Sequence, residues 1–102
     1  MYKVEILPVA QKDMINTVSY ISIDLANPEA ASKLADVFSK KINSLARHPY
    51  INPAYQPIRP LKHEYRKLTV KNYIVFYWVD EKTETVTVAR IVYSKRNYNP
   101  LL

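Results

Sequence analysis

The sequence contains no cysteine and no glycine, and each absence excludes a class of site. Without cysteine there are no disulfide bonds and no thiolate metal ligands, which favours a reducing compartment such as the cytoplasm. Without glycine there is no glycine-rich phosphate loop. The two histidines, His48 and His63, lack the spacing of metal ligands. The sequence therefore predicts neither a metal site nor a bound cofactor.

Long apolar runs are also missing. None approaches the roughly 18 residues that a membrane-spanning helix needs. Glu5 interrupts the apolar stretch at the N-terminus, which a secretory signal would disfavour. Apolar residues nevertheless make up 48% of the 102 residues, enough for one hydrophobic core. We expect a single cytoplasmic domain over residues 1–102.

Charge and tyrosine are concentrated in the second half. Residues 1–48 carry six Lys or Arg against five Asp or Glu, whereas residues 49–102 carry nine against four. The second half thus holds +5 of the net charge of +6, together with seven of the nine tyrosines. Such a composition is typical of a surface that meets phosphates and unstacked bases. It also fits a basic face that only improves solubility.

Two N-terminal segments have the periodicity of amphipathic helices. A helix over residues 9–26 would bury one stripe of apolar side chains. That stripe comprises Ala10, Met14, Val18, Ile21 and Leu25. A second helix is predicted to begin after Asn27, a good cap, with Pro28 and Glu29 in its first turn, and to end near residues 47–49. Together they form a helical hairpin.

Strands are predicted on both sides of this hairpin. Residues 2–7 alternate apolar and charged side chains, and strands over residues 63–70, 73–79 and 85–92 are joined by short links. The last three should form an antiparallel meander, with Asn72 as the left-handed residue of its first turn. Residues 49–60 contain four of the seven prolines and are predicted to be an extended loop. The fold class is α+β in the order β-α-α-β-β-β, with the hairpin on one face of a twisted, mostly antiparallel sheet.

The other face of the sheet is predicted to be free and to carry polar side chains. Alternation places Lys67 there with Tyr65, and places Arg66 on the opposite side, at an edge or paired with Glu64. Arg90 is predicted to share the parity of its strand's valines, Val86, Val88 and Val92. Two interpretations of Arg90 stay open: a paired or sheet-edge arginine, and a phosphate contact.

Common catalytic motifs do not occur. The acidic pair Asp80-Glu81 is typical of a hairpin turn, so an enzyme of this sequence would use Lys, Arg, Tyr or His. Such groups can cleave RNA without a metal. A base removes the 2′-hydroxyl proton, cations stabilise the pentavalent phosphate, and an acid protonates the leaving oxygen. A lysine whose pKa is lowered by nearby positive charge could be that base.

Three stretches and their order carry a resemblance to a known family. "NPEAA" at residues 27–31, "YRKLTVKNYIVFYWV" at residues 65–79 and "ARIVYSKRNYNPLL" at residues 89–102 are similar to the RelE/ParE superfamily of type II toxin–antitoxin toxins. The resemblance spans nearly the whole chain. It implies a growth-inhibiting toxin that is neutralised by an antitoxin encoded beside it. RelE-like members cut mRNA in the ribosomal A site, whereas ParE-like members poison DNA gyrase.

The resemblance also implies site residues. A sheet lysine, an arginine after the last strand and a tyrosine near the C-terminus act in the RelE branch. Their matches here are the predicted catalytic residues Lys67, Arg96 and Tyr98. The neighbouring basic and phenolic side chains are the predicted substrate-binding residues: Arg66, Arg90, Tyr93 and Lys95.

Departures from the RelE pattern keep both branches open. Tyr65 stands where a second lysine is expected, and Ile74 where an arginine contacts the phosphate. The long hairpin with "NPEAA" looks more like ParE. The expected partners are therefore an antitoxin, in a hetero-oligomer, and either the ribosome with mRNA or DNA gyrase. A noncatalytic nucleic-acid-binding module is the alternative from another class.

The C-terminal stretch allows two placements. Arg96 and Tyr98 line a groove for the target, or Tyr98, Leu101 and Leu102 fold back over the core while Arg96 is solvated. In the first placement an acidic antitoxin segment would fold onto the same groove, with carboxylates against Lys67, Arg90 or Arg96.

Overall fold

The alternating and helical patterns of the sequence are realised as one layer of helices on one sheet. The computed structural model describes residues 1–57 and 61–102; positions 58–60, the end of the predicted proline-rich loop, lie outside the described residues. The strands are β1 (Lys3–Ile6), β2 (Arg66–Val70), β3 (Tyr73–Asp80) and β4 (Thr85–Tyr93). The helices are α1 (Pro8–Ser19) and α2 (Pro28–Ser44), with a π-helix at Tyr20–Asp24 and a 3-10 turn at Asn99–Leu101.

The described strands form a mixed sheet in the order β1-β4-β3-β2. β2, β3 and β4 are the predicted antiparallel meander, and β1 pairs parallel with β4. The predicted α+β fold and strand order along the chain are confirmed. β2 begins at Arg66 and not at residue 63. Before it, the imidazole of His63 stacks on the indole of Trp78 of β3, with ring centres 3.7 Å apart.

Local signals at the helix ends explain the hairpin. Asn27 Oδ1 accepts a hydrogen bond from the backbone N–H of Ala30 at 3.1 Å, which caps α2 as its sequence predicts. α1 begins with Pro8, where its missing N–H costs nothing. The predicted apolar stripe of the first helix is wrong at its end, because Leu25 is 55% exposed. The π-helix accommodates an extra residue per turn and rotates this position away from the sheet.

The helix face of the sheet, which packs against α1 and α2, holds the larger core. Phe38 and Ile42 of α2 are buried against Val75, Tyr77 and other apolar side chains of the strands. At roughly 1.5–3 kcal/mol for each large apolar side chain removed from water, this layer dominates the favourable side of folding.

A β-bulge in β4 changes which side chains face the helices. Phe76 pairs with Arg90, but the next residue of β3, Tyr77, pairs with Val88, so Ala89 is extra. Val86 and Val88 therefore lie on the helix face while Val92 lies on the opposite face. The prediction that Arg90 shares one parity with Val86, Val88 and Val92 is wrong for this reason.

The turn between β2 and β3 also differs from its prediction. The residue with positive φ is Lys71, at 54°, and not Asn72. The direct pairing of Val70 with Tyr73 leaves a two-residue loop, whose first residue must turn the chain this way. In the described part of the chain, no helix is long and apolar enough to cross a membrane.

Candidate functional site

The sequence predicted that the back face of the sheet, opposite the helices, is free. In the structure this face is covered. Five buried side chains form its floor: Tyr65, Ile74, Phe76, Ala89 and Val92. Parts of the proline-rich loop and the C-terminal tail (residues 94–102) pack on this floor. Alternation could not predict the cover, because neither segment has a regular period. The prediction of an open polar face was wrong for that reason.

Backbone hydrogen bonds hold the proline-rich loop along the outer edge of β2. The N–H of Tyr55 donates to the carbonyl of Tyr65 at 2.8 Å, and the N–H of Lys67 donates to the carbonyl of Pro53 at 3.0 Å. Ala54 and Arg66 form the bridge between these two bonds. A chain with prolines can pair only at a sheet edge, and here it also protects that edge from other chains.

Aromatic rings join the loop and the tail over the back face. Tyr55 meets Phe76 edge-on at 5.2 Å between ring centres, and Tyr98 lies 5.6 Å from Tyr55 and 4.9 Å from Phe76. Leu101 and Leu102 pack against the same cluster. Of the two placements left open by the sequence, the structure has the one in which Tyr98 and the terminal leucines fold back over the core.

Lys67 and Tyr98, two of the three predicted catalytic residues, meet the same ring. The Lys67 ammonium lies 5.9 Å from the ring centre of Tyr55, at the outer limit of a cation–π contact, and Tyr98 packs on that ring from the tail. Lys67 is half-buried on the back face, as alternation predicted. Tyr55 was missed by the sequence analysis; a tyrosine between prolines was the available signal.

Arg96 and Lys95 lie in the turn that leads from β4 to Tyr98. The carbonyl of Tyr93 accepts the N–H of Arg96 at 3.0 Å, and the carbonyl of Asn72 accepts the N–H of Ser94 at 2.9 Å. These bonds fix the backbone of the turn, while the side chains of Lys95 and Arg96 are exposed. Both cations are thus presented to solvent.

Arg66 is engaged at the edge of the sheet. Its Nη1 donates to the carbonyl of Asn52 at 2.8 Å, and its guanidinium lies 4.9 Å from the ring centre of Tyr50. Glu64 is 3.7 Å away. This geometry matches the edge or paired position that the sequence allowed. Arg66 therefore holds the proline-rich loop at the edge of the sheet.

Arg90 forms the most buried ion pair among the described residues. Its Nε and Nη2 donate to the carboxylate of Asp13 at 2.8 and 3.0 Å, and the backbone N–H of Ile91 donates to the same carboxylate at 3.0 Å. The hydrogen bond from Asp13 raises the pKa of Arg90 against the opposing effect of burial. The ion pair joins α1 to β4 two residues after Val88, which is the last residue of β4 that pairs with β1. The paired interpretation of Arg90 therefore describes its geometry.

Tyr93 lies apart from Lys67 and Tyr98, although its carbonyl accepts the N–H of Arg96 in the following turn. It pairs with Tyr73 across the sheet, and the two rings meet at 5.9 Å. Tyr73 packs against the helix-face core, with its ring 5.9 Å from that of Phe38. The structure thus brings together Lys67 and Tyr98, leaves Arg96 exposed nearby in sequence, and places Tyr93 on the other side of the sheet.

Two phenols of the back face, Tyr55 and Tyr65, are affected by burial. Desolvation raises the pKa of both Tyr55 and Tyr65 above the usual value for tyrosine. A neutral phenol can donate a proton or a hydrogen bond but does not act as a base at neutral pH. What the back face and the tail together offer is therefore aromatic surface, one half-buried ammonium and exposed cations.

Acidic and histidine side chains do not converge elsewhere in a way that would bind a metal. In residues 1–57 and 61–102, no group of three or more His, Cys, Asp or Glu side chains is placed to hold an ion. A carboxylate–phenol cluster lies at the β3–β4 turn, where Glu81 accepts hydrogen bonds from the hydroxyls of Tyr2 (2.6 Å) and Tyr50. These bonds lower the pKa of Glu81 and raise that of Tyr2 to about 12.

Residues 4–98 match the model of one protein family, the ParE toxin of the type II toxin–antitoxin system parDE. No protein in the curated set that was searched matches the chain.

Solved structures similar to this fold come from toxin–antitoxin systems. The chromosomal ParDE system of P. aeruginosa has a chain that superposes with a TM-score of 0.67 at 18% identity, covering 93% of this chain and 98% of that one. A chain of the toxin–antitoxin complex RelBE2 of Mycobacterium tuberculosis superposes with a TM-score of 0.61 at 20% identity, covering 90% of this chain and 96% of that one. A metal-bound toxin of Helicobacter pylori superposes with a TM-score of 0.60 at 19% identity, covering 91% of this chain and 94% of that one.

Proposed function

The chain belongs to the ParE toxin family of type II toxin–antitoxin systems, and on this premise we propose that it arrests bacterial growth in the cytoplasm by poisoning DNA gyrase. A cognate antitoxin would be the protein that neutralises it. In this proposal the toxin acts by binding its target, and the exposed cations of the tail, Lys95 and Arg96, take part in that contact.

The observation that carries the proposal is that three of the four predicted substrate-binding residues do not join the predicted catalytic residues Lys67 and Tyr98. Cleavage of RNA needs a base, an acid and cations within hydrogen-bond reach of one phosphate. Here Arg66 is bound to Asn52, Arg90 is bound to Asp13, and Tyr93 lies on the helix side of the sheet. The remaining residues offer surface and charge for binding a macromolecule, which supports a poison more than a nuclease.

The test measures gyrase directly. We expect the purified chain to inhibit supercoiling and to accumulate gyrase cleavage complexes. Arg96→Ala should weaken both effects about tenfold or more, since one lost charged contact at an interface costs on the order of 2 kcal/mol. Lys40→Ala is the matched control, because Lys40 is an equally exposed cation on α2. Growth arrest with normal gyrase activity would overturn the proposal.

Ribosome-dependent cleavage of mRNA is the second candidate, and one contact favours it. Lys67 and Tyr98 both meet the ring of Tyr55, so an ammonium and a phenol lie on one surface with Arg96 exposed at the start of the tail. If this surface cuts RNA, mapping mRNA 5′ ends on translating ribosomes will reveal new ends that disappear with Lys67→Met. A noncatalytic nucleic-acid binder would give salt-sensitive binding without toxicity.

Growth arrest by the variants can be measured whichever of the two mechanisms, gyrase poisoning or mRNA cleavage, applies. Expressed alone, the wild-type chain should halt bacterial growth under either mechanism. Arg96→Ala should weaken the arrest far more than Lys40→Ala at equal protein level. Equal toxicity of the two variants would remove Arg96 from the site.

A further inference from the structure

A groove lined by tyrosines lies at the end of the hairpin, away from the back face. Two adjoining cavities of about 490 and 510 Å³ share Tyr20 and Tyr73 as lining residues. Tyr93 closes one end, and Lys33 and Lys71 stand at the other. We call this the tyrosine groove. Apart from Tyr93, it uses no residue of the predicted site.

The hydroxyl groups of the tyrosines in this groove are not used in hydrogen bonds of the described part of the fold. Tyr20 and Tyr93 are 52% and 44% exposed. Among the described residues, none donates a hydrogen bond to or accepts one from the hydroxyls of Tyr20, Tyr73 and Tyr93. By contrast, Tyr50 bonds to Glu81, and Tyr77 bonds to the carbonyl of Pro49. Exposed, unbonded phenols offer contact area with few rotatable bonds, as in protein-binding sites.

The floor of the groove is apolar. Ile21, Leu25 and Leu34 line it, and Leu25 is 55% exposed. Burial raises the pKa of Tyr73 above its usual value, with smaller contributions from Tyr93 and Tyr20, so this phenol is neutral at the base of the groove. A floor of aliphatic and neutral aromatic side chains fits the apolar side chains of a peptide.

The rim of the groove is positive. Lys33 and Lys71 line it and no carboxylate does. The Nζ of Lys33 is 3.6 Å from Glu29, but both side chains are more than 70% exposed, so a competing carboxylate could replace this contact at little cost. In the described part of the chain, Lys71 takes part in no ion pair. The occupant should therefore be acidic.

Backbone irregularities border the same groove. The π-helix begins at Tyr20, and two non-glycine residues nearby are left-handed, Ala26 with φ of 51° and Lys71 with φ of 54°. Single π turns and left-handed residues cost energy and concentrate at functional sites. Here the π turn carries Tyr20, and the left-handed residue at the tip of the β2–β3 hairpin is Lys71 itself.

We propose that the tyrosine groove is the docking site for an acidic segment of the antitoxin that places apolar side chains between Tyr20, Tyr73 and Leu25 and carboxylates at Lys33 and Lys71. The proposal rests on the proposed function only in requiring an antitoxin partner. It places neutralisation on the hairpin side of the sheet, whereas Tyr98 and the terminal leucines pack on the back face. The turn that carries Lys95 and Arg96 adjoins the groove at Tyr93.

The test uses the protein encoded by the neighbouring reading frame as the probe, with affinity measured by calorimetry. The double variant Tyr20→Ala/Lys71→Glu should bind about 30- to 100-fold more weakly, since a buried tyrosine anchor contributes about tenfold and a reversed charge several-fold more. Tyr50→Ala and Lys82→Glu are matched controls, as Tyr50 is 47% exposed and Lys82 is an exposed cation at the far turn. Both altered residues of the double variant are exposed, so its thermal unfolding should stay close to wild type.

Unchanged affinity of Tyr20→Ala/Lys71→Glu would overturn the proposal. The proposal would also be overturned if the double variant lost binding to a labelled single-stranded oligonucleotide and kept its affinity for the antitoxin. The groove would then be a nucleic-acid site. In cells, the double variant should still arrest growth and should escape neutralisation, which supports antitoxin docking in the groove. The calorimetry needs no gyrase, so failure of the gyrase proposal would leave its result unaffected.

Discussion

The two faces of the sheet are buried by different means. On the helix face, regular elements bury the core, and Phe38 and Ile42 recur at helical spacing against the strands. On the back face, the cover is a proline-rich loop and a tail whose one turn of helix is a 3-10 turn. The helix face is held by apolar packing along two helices, and the back face by a few aromatic contacts among Tyr55, Phe76 and Tyr98.

This difference predicts unequal resistance of the two faces to local opening. A face closed by two helices has many contacts and little freedom, whereas a tail held by a few rings can open at a lower free-energy cost. Two of the predicted site residues, Lys67 and Tyr98, belong to the second face, and Arg96 is exposed two residues before Tyr98. Substitutions on each face should therefore differ in how much they destabilise the protein.

Phe38→Ala should have the largest effect. Phe38 is fully buried on the helix face, and its removal leaves a cavity, so we expect the free energy of unfolding to fall by about 3–5 kcal/mol. Urea unfolding measures this. Ser39→Ala, at the exposed neighbouring position of α2, is the control. A loss smaller than that of Tyr98→Ala would contradict the ranking of the two faces.

Asp13→Ala should come next. It leaves the half-buried guanidinium of Arg90 and the N–H of Ile91 without their acceptor, which should cost about 3 kcal/mol. The double variant Asp13→Ala/Arg90→Met should recover part of this loss, because the uncompensated charge is then gone. If Asp13→Ala and wild type unfold at the same urea concentration, the pair does not hold the hairpin on β4.

Tyr98→Ala should be milder. The ring makes two aromatic contacts and is partly exposed, so we expect a loss of about 1–2 kcal/mol. Amide exchange should accelerate in residues 94–102 while the helices stay protected. Tyr98→Phe, which keeps the ring, should restore protection of the tail. Uniform acceleration over the whole chain would mean that both faces open together.

Glu81→Gln should have the smallest effect, and one that depends on pH. The hydroxyls of Tyr2 and Tyr50 lower the pKa of Glu81 below its ordinary value of 4.5, so the folded state favours the charged carboxylate. The stabilisation is present above the unfolded pKa and is lost as the pH falls through the lowered pKa. The melting temperatures of wild type and Glu81→Gln should thus differ slightly at neutral pH and converge in acid. Glu84→Gln, at an exposed carboxylate of the same turn, is the control variant.

Local patterns in the sequence determined the helix face. Period 3.6 in residues 28–44 and the cap at Asn27 specified α2, and alternation with short links specified the meander of β2, β3 and β4. These features depend on neighbours within a few positions, so the sequence is sufficient for them. The family resemblance, carried by residues spread over the whole chain, was confirmed by the match over residues 4–98.

The tertiary structure alone decided the back face and the partners of the site residues. The bulge at Ala89 shifts parity by one residue and no local signal marks it, so the face of Val92 could not be read from alternation. Asp13 and Arg90 are 77 positions apart, and only the packing of α1 beside β4 shows that this arginine is paired. Tyr55 and Tyr98 meet because two aperiodic segments cross the same sheet. Side chains that pack through such long-range contacts leave no period in the sequence, and the candidate site is built largely from them.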